Sequence, residues 1–404
     1  MTAPRFPTRP VRQRRRPLGA AAATLLIITL ALGACAAPDP DRTPPAGRLA
    51  DWPATAREAR GQTVRWWMYG GDERMNRYVD ELVTPAAAAA GVTLERVPVA
   101  DTADAVQRVL AERRAGRASG GSVDLLWING ENFALGKQAD LWLPAWAETL
   151  PNARYVDWDD PTIARDFGVP VDGQESPWNR ATFVFAHDRR RTPTPPRSFQ
   201  ELLAYARAHP GRVAYPAPPD FTGSAFVRQA VQALGEEQAF ALLGALKPLQ
   251  WRGGAAFPGS QAELDRLFSD GQVDLAMSYD PSFVAGGVRQ GRFPPSARPF
   301  VLTSGALQNA SYVTIPANAA HRAGALVVAN LLLEPRLQAA KADPERLGIP
   351  TVLDLSRLTP ADAARFRGGA SPYVLAGTVG RLAELPPERV TAIESRWRRE
   401  VLRR

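Results

Sequence analysis

Short apolar runs alternating with capped amphipathic stretches restrict this chain to the α/β class. Val64 to Tyr69 (VRWWMY) is a strand-like run that stops at Gly70-Gly71, and an amphipathic stretch follows Asp72 and Glu73. Thr93 to Val99 reads as a second strand; Asp101 or Thr102 then caps a helix that runs to about Ala115 and ends at Gly116. Val123 to Ile128 is almost wholly apolar, as a strand covered on both faces should be. Ser198-Phe199-Gln200-Glu201 and Ser260-Gln261-Ala262-Glu263 each match the capping box that opens a helix. Arg212 to Tyr215 and Val273 to Ser278 read as strands, and Ala320 to Leu333 as the most apolar helix. The alternation predicts a parallel or mixed sheet with helices on both faces.

The roughly 340 residues beyond position 61 exceed one comfortable core, so two α/β lobes are expected. Glu175 to His187 and Arg298 to Ile315 are rich in β-formers with no helix inside them. They read as hinge crossings, 175–187 and 298–315. That assigns 62–180 and 306–345 to lobe 1 and 188–300 and 346–404 to lobe 2, with a cleft between them.

The N-terminus carries a separate message. Residues 1–17 are basic and broken by proline, and Leu18 to Ala34 is an uncharged apolar run ending directly before Cys35. Seventeen residues are short for a bilayer-spanning helix, which needs about 20, so 1–34 reads as a signal peptide. Leu32-Gly33-Ala34-Cys35 resembles a bacterial lipobox, which implies that Cys35 is the lipidation site, acylated with palmitate-type chains. The other reading is an uncleaved anchor; in both the body is exported and tethered to a membrane. Residues 35–61, rich in Pro and Ala without periodicity, read as a solvated tether. Cys35 is the only cysteine, so no thiol remains for catalysis, metal or a disulfide.

The formal charge of +8 suggests a polyanion partner until it is located. Six arginines lie in the first sixteen residues with no acid, which leaves 43 basic against 41 acidic side chains in the rest. A near-neutral body argues against nucleic acid. The three histidines, His187, His209 and His321, are scattered, and no metal, nucleotide or nucleophile-elbow motif is present. No metal or cofactor is implied.

The chain does place polar and aromatic residues just beyond strand ends, where ligands sit in open α/β sheets. Trp67, Tyr69, Gly70 and Gly71 follow the first strand, and Asn129, Glu131 and Asn132 the third. Trp178 precedes the first crossing; Asp220, Phe221, Thr222, Gly223 and Ser224 open a second-lobe helix; Tyr279 and Asp280 end a second-lobe strand. Each has a plain alternative. Gly70-Gly71 is either cleft or turn, Asp220 either ligand contact or N-cap, and Asn129 and Asn132 either contacts or Asx-turn residues. Trp66 and Trp67 alternate faces, so only one lines a cleft. Aromatic faces (Trp67, Tyr69, Trp178, Phe221, Tyr279) with carboxylates (Glu131, Asp220, Asp280) suit an organic cation, a cation–π contact contributing about 0.5–2 kcal/mol. Thr222-Gly223-Ser224 at a helix start equally suits a phosphate or carboxylate.

Trp127 to Phe133 (WINGENF), Pro195 to Tyr205 (PPRSFQELLAY) and Tyr215 to Phe226 (YPAPPDFTGSAF) are similar to segments of bacterial ABC-importer extracellular solute-binding proteins, family 1, and most of all to the YnjB-like periplasmic components. The resemblance runs from about Val64 to the C-terminal helices. It implies a two-lobed, type II periplasmic-binding-protein-like fold with a hinge and an interlobe cleft, and no enzymatic activity. It further implies a small solute as ligand, an ABC permease and ATPase as partners, and an exported, membrane-anchored location. A thiamine-like or amine-bearing solute is expected, with ligand contacts from Trp67, Tyr69, Gly70, Asn129, Glu131, Asn132, Trp178, Asp220, Phe221, Thr222, Ser224, Tyr279 and Asp280. The competing reading is an exported α/β hydrolase or transferase on the same scaffold, with Ser224 and His187 as its least implausible catalytic pair. A tethered scaffold for other proteins would instead expose apolar patches.

Overall fold

Val64, Trp66 and Met68 turn inward from strand β1 (Thr63–Tyr69), the period-two burial that a strand on a core demands. The computed structural model describes residues 51–99, 101–367, 371–375 and 379–403. The signal peptide, Cys35 and most of the expected tether lie outside them. The end of that tether is folded: Trp52–Glu58 is a helix capped by Asp51, whose Oδ1 accepts from the Ala54 N–H at 3.1 Å. Trp52 packs against the first core and Ala59 is fully buried, so the globular body begins some ten residues before the sequence suggested.

β1 pairs in parallel with β2 (Thr93–Val99) and with β3 (Leu125–Ile128). Asp101 caps the intervening helix Thr102–Arg114, and Gly116 follows at φ +80°. A two-strand hairpin comes next, β4 (Arg165–Asp166) and β5 (Val169–Pro170), turned by Phe167 at φ +44° and Gly168 at φ +78°. Two positive φ values define the tight turn that matches strand twist. Glycine suits it; Phe167 carries backbone strain there.

β6 (Glu175–Thr182) lies in the first sheet, and after Phe183 the chain enters β7 (Val184–Asp188) of a second sheet. β7 is flanked by β8 (Leu275–Ser278) and β9 (Ala297–Phe300), both antiparallel to it. β10 (Ala306–Thr314) brings the chain back to the first sheet, antiparallel to β6 and β3, and β11 (Arg381–Ala383) runs parallel to β10 at the edge. The first sheet is therefore mixed. The Phe183 N–H donates to the Leu307 carbonyl at 2.9 Å, which ties the two crossings side by side.

Two separate apolar cores result. One gathers Trp66, Leu125, Phe133, Trp178 and Tyr312; the other gathers Phe185, Phe199, Phe226, Phe268 and Trp397. Leu347, Ile349, Val352, Leu353 and Leu358, expected in lobe 2, pack into the first core. The reason is Gln338 on helix Pro335–Ala342, whose Oε1 accepts from the Thr351 hydroxyl at 2.8 Å and the Val352 N–H at 3.3 Å. Helix Pro387–Trp397 then joins the second core through Ile393 and Trp397.

Both capping boxes form. Ser198 and Ser260 accept from the Glu201 and Glu263 N–H groups, and each glutamate reaches one residue further back than the usual box, to Arg197 and Gly259. No strand forms over Arg212 to Tyr215. The carbonyls there accept single bonds from separate segments, from the Asp274 N–H at Arg212 and from the Trp251 N–H at Val213, both at 2.8 Å, and Pro216, Pro218 and Pro219 bar a ladder from continuing past Tyr215.

Candidate functional site

The ends of β1 and β3 on the first core and the start of helix Phe221–Leu234 on the second provide the polar loops singled out in the sequence. Glycine at 70 and 71 is explained by close approach. A Cβ at Gly70 would meet Pro98 at 2.6 Å, and one at Gly71 would meet the Tyr69 hydroxyl at 2.2 Å, so the exposed Tyr69 ring folds over Gly71. Asn129 is half-buried at the N-cap of helix Gly130–Gln138 without a side-chain capping bond; Glu131 is exposed and Asn132 half-buried.

One tryptophan is corrected. Trp178 is fully buried in the first core, edge-on to Trp66 at 5.2 Å and to Trp127 at 4.9 Å between ring centroids, and offers no face to a solute. Gln338 and Lys341 on helix Pro335–Ala342 donate to the Trp178 carbonyl, and the Lys341 nitrogen lies 5.5 Å from the ring centre. Trp67 leans back from the strand tip, its Nε1–H donating to the Ser122 carbonyl at 3.3 Å.

The second-lobe residues come together. Asp220 is the N-cap: its Oδ1 accepts from the Gly223 N–H at 2.9 Å, so a carboxylate of the chain itself already fills the helix start expected to take an anion. A Cβ on Gly223 would sit 1.9 Å from the Pro216 carbonyl oxygen, which fixes glycine there. The Thr222 hydroxyl donates to Gln261 Oε1 at 2.6 Å, Gln261 donates to Ser278 Oγ at 3.0 Å, and Ser278 Oγ accepts from the Asp280 N–H at 3.0 Å. Phe221, exposed, lies 5.4 Å from the Tyr279 ring. The Ser224 hydroxyl donates to Glu394 at 2.6 Å and accepts from Arg228, while His187 Nδ1 contacts the Thr192 carbonyl at 2.7 Å inside the second core. Ser224 and His187 thus have separate partners and form no nucleophile–base pair.

Between the cores lie groups that no local pattern revealed. Arg228, buried on helix Phe221–Leu234, forms a two-bond ion pair with buried Glu384, at 2.9 and 3.0 Å. Its guanidinium stands 5.8 Å from the Phe167 ring and 5.7 Å from Phe221. Asp166, next to Phe167, accepts from the Gly130 N–H and from Asn309 Nδ2 at 3.3 Å. Burial, with help from the charge of Glu384, pushes the Asp166 carboxyl up to about 7. Glu175 is buried with both oxygens unbonded, and burial followed by the charge of Asp166 holds its carboxyl well above the usual range. Burial and then Glu384 raise the Tyr279 hydroxyl. Tyr312 is occupied, its hydroxyl donating to the Ile163 carbonyl at 3.0 Å. An arginine in the middle of an apolar helical stretch, Ala225-Phe226-Val227-Arg228, and an acid opening a buried strand, Glu175, are the signals that would have found two of these.

Among the described residues no group of three or more His, Cys, Asp or Glu is placed to hold a metal ion, and no helix is long and apolar enough to cross a membrane.

The family model described as bacterial extracellular solute-binding protein matches residues 81–364. Protein YnjB of Escherichia coli (strain K12) is 43% identical over 331 residues, 78% of this chain and 85% of that protein. A putative extracellular solute-binding protein from Bordetella parapertussis superposes with a TM-score of 0.64 at 14% identity, covering 84% of this chain and 98% of that one. A periplasmic thiamin binding protein gives a TM-score of 0.56 at 18% identity over 84% and 96%. These likenesses establish the two-lobed, type II solute-binding fold. Proteins of this kind are exported, bind small solutes and work with the permease components of ABC transporters; they are not enzymes. By sequence model, by its relative and by fold, the chain belongs to the bacterial extracellular solute-binding proteins.

Proposed function

We propose that this protein is a lipid-anchored receptor that closes its lobes on an organic cation, thiamine-like or otherwise amine-bearing, and hands it to a permease driven by an ATPase. One observation carries the choice of charge. Three buried carboxylates, Asp166, Glu175 and Glu384, stand in and beside the seam between the cores, against one buried arginine, Arg228. Phe167, Phe221 and Tyr279 supply the aromatic faces next to them. A cation entering there displaces a proton from Asp166, gains a charge pair in a poorly solvated place and makes π contacts of about 0.5–2 kcal/mol each. Tyr69, Gly70, Asn129, Glu131, Asn132, Asp220, Thr222, Ser224 and Asp280 line the approach on this reading, and Trp67 and Trp178 support it from behind. A solute touching both lobes binds the closed form better and so shifts the hinge equilibrium.

The lipid anchor rests on Leu32-Gly33-Ala34-Cys35. Replacing Cys35 with serine is expected to move the protein from the membrane fraction to the soluble one. The solute is tested by mass spectrometry of small molecules released on denaturing the purified protein. An amine or thiazolium-type cation is expected; a neutral sugar or a plain anion would overturn the charge assignment.

A further inference from the structure

A cavity of about 350 Å³ opens on the seam, and arginine dominates its lining. Arg74 and Arg77 enter from helix Glu73–Tyr78 and Arg346 from the loop after helix Pro335–Ala342, all on the first lobe. Arg289, the last residue of helix Phe283–Arg289, enters from the second. Four guanidinium groups face two carboxylates in the lining, Glu81 and Glu345.

The donors are incompletely used. Arg74 Nη2 binds Asp280 at 3.0 Å, yet its Nη1 is buried without a hydrogen-bond partner. Arg346 lies 4.0 Å from Asp343. Arg289 spends its two hydrogen bonds on the carbonyls of Pro344 and Arg346, and among the described residues neither Arg289 nor Arg77 has a carboxylate at ion-pair distance. Burial and the neighbouring charges of Arg74 and Arg77 lower the Arg289 pKa, so these guanidinium groups repel one another. Planar forked donors converging from several sides are the chemistry that binds phosphate and carboxylate oxygens.

We propose that this cavity is an oxyanion site that bridges the lobes through Arg77 on one and Arg289 on the other. An anion held there relieves the repulsion and contacts both halves, so it favours the closed form without occupying the solute site.

The test titrates purified full-length protein, at constant ionic strength kept with chloride, with inorganic phosphate in one arm and succinate in the other. A saturable rise in melting temperature is expected, roughly 2 °C at tenfold the dissociation constant. The arm that responds names the oxyanion. The rise should vanish in Arg77→Gln/Arg289→Gln, two exposed positions whose loss leaves the cores intact. No rise in either arm, or an equal rise in the double variant, overturns the site. Because the variant keeps Asp166, Glu175 and Glu384, its response to thiamine as probe reports separately on the cation reading.

Discussion

Arg74 and Asp280 join the two lobes: Nη2 of the first lies 3.0 Å from Oδ2 of the second across the seam. Asp280 is oriented for the contact, because its other oxygen accepts from the Ser282 N–H at 2.8 Å and hydroxyl at 2.7 Å. Asp280 is about one-third exposed, so the pair contributes no more than about 1 kcal/mol to closure. Asp280→Asn is therefore expected to weaken solute binding about fivefold, mostly through faster release. Stopped-flow dissociation of the co-purified solute checks it; an unchanged release rate would remove this pair from closure.

Burial pushes the Asp166 carboxyl up to about 7 and holds the Glu175 carboxyl well above the usual carboxylate range. The folded protein therefore holds protons that the unfolded chain gives up in the ordinary carboxylate range. Stability is greatest at acidic pH on this account and falls as pH rises from that range through about 7. Asp166→Asn, which imitates the protonated acid, is expected to raise the melting temperature at pH 8 and to flatten the decline between pH 5 and 8. A steeper decline in the variant would contradict it. A cation taken up near pH 7 should release a proton, visible as a buffer-dependent enthalpy in calorimetry.

Trp178→Ala leaves a hole among Trp66, Trp127 and the Lys341 side-chain nitrogen, which lies 5.5 Å from the ring centre. A loss of about 3–5 kcal/mol of stability is expected. Trp178→Phe should recover much of it with solute affinity intact. Denaturant unfolding monitored by circular dichroism decides, and a midpoint unmoved by alanine would place the ring outside the core.

Gly71→Ala and Gly223→Ala separate two kinds of crowding. At Gly71 the added methyl meets the end of an exposed side chain, Tyr69, which swings away, so stability should change by less than about 1 kcal/mol. At Gly223 it meets the Pro216 carbonyl of the backbone, and helix Phe221–Leu234 has to shift, costing several-fold more. Comparable melting temperatures for the two variants would refute the distinction.

Strands over Val64–Tyr69, Thr93–Val99 and Val123–Ile128 were legible because local period and caps agree there with tertiary burial. Tyr279 and Asp280 were legible as the residues that follow the end of β8, and Asp220 as the cap that opens helix Phe221–Leu234. Asp166 and Glu384 were not, since their significance comes from partners far along the chain, Asn309 and Arg228. Trp178 misled because an aromatic beside a proline and an asparagine looks like a cleft residue, and its packing on Trp66 and Trp127, both much earlier in the chain, makes it core. Arg212 to Tyr215 has β propensity but no continuous ladder partner, its carbonyls bonding singly to Asp274 and Trp251.

The bond from Phe183 to Leu307 joins two of the segments that pass between the cores. Two connectors stitched together like the spine of a book resist sliding and stretching, while bending about their common line costs little. If the lobes open as proposed, a guest that touches either page feels the position of the other.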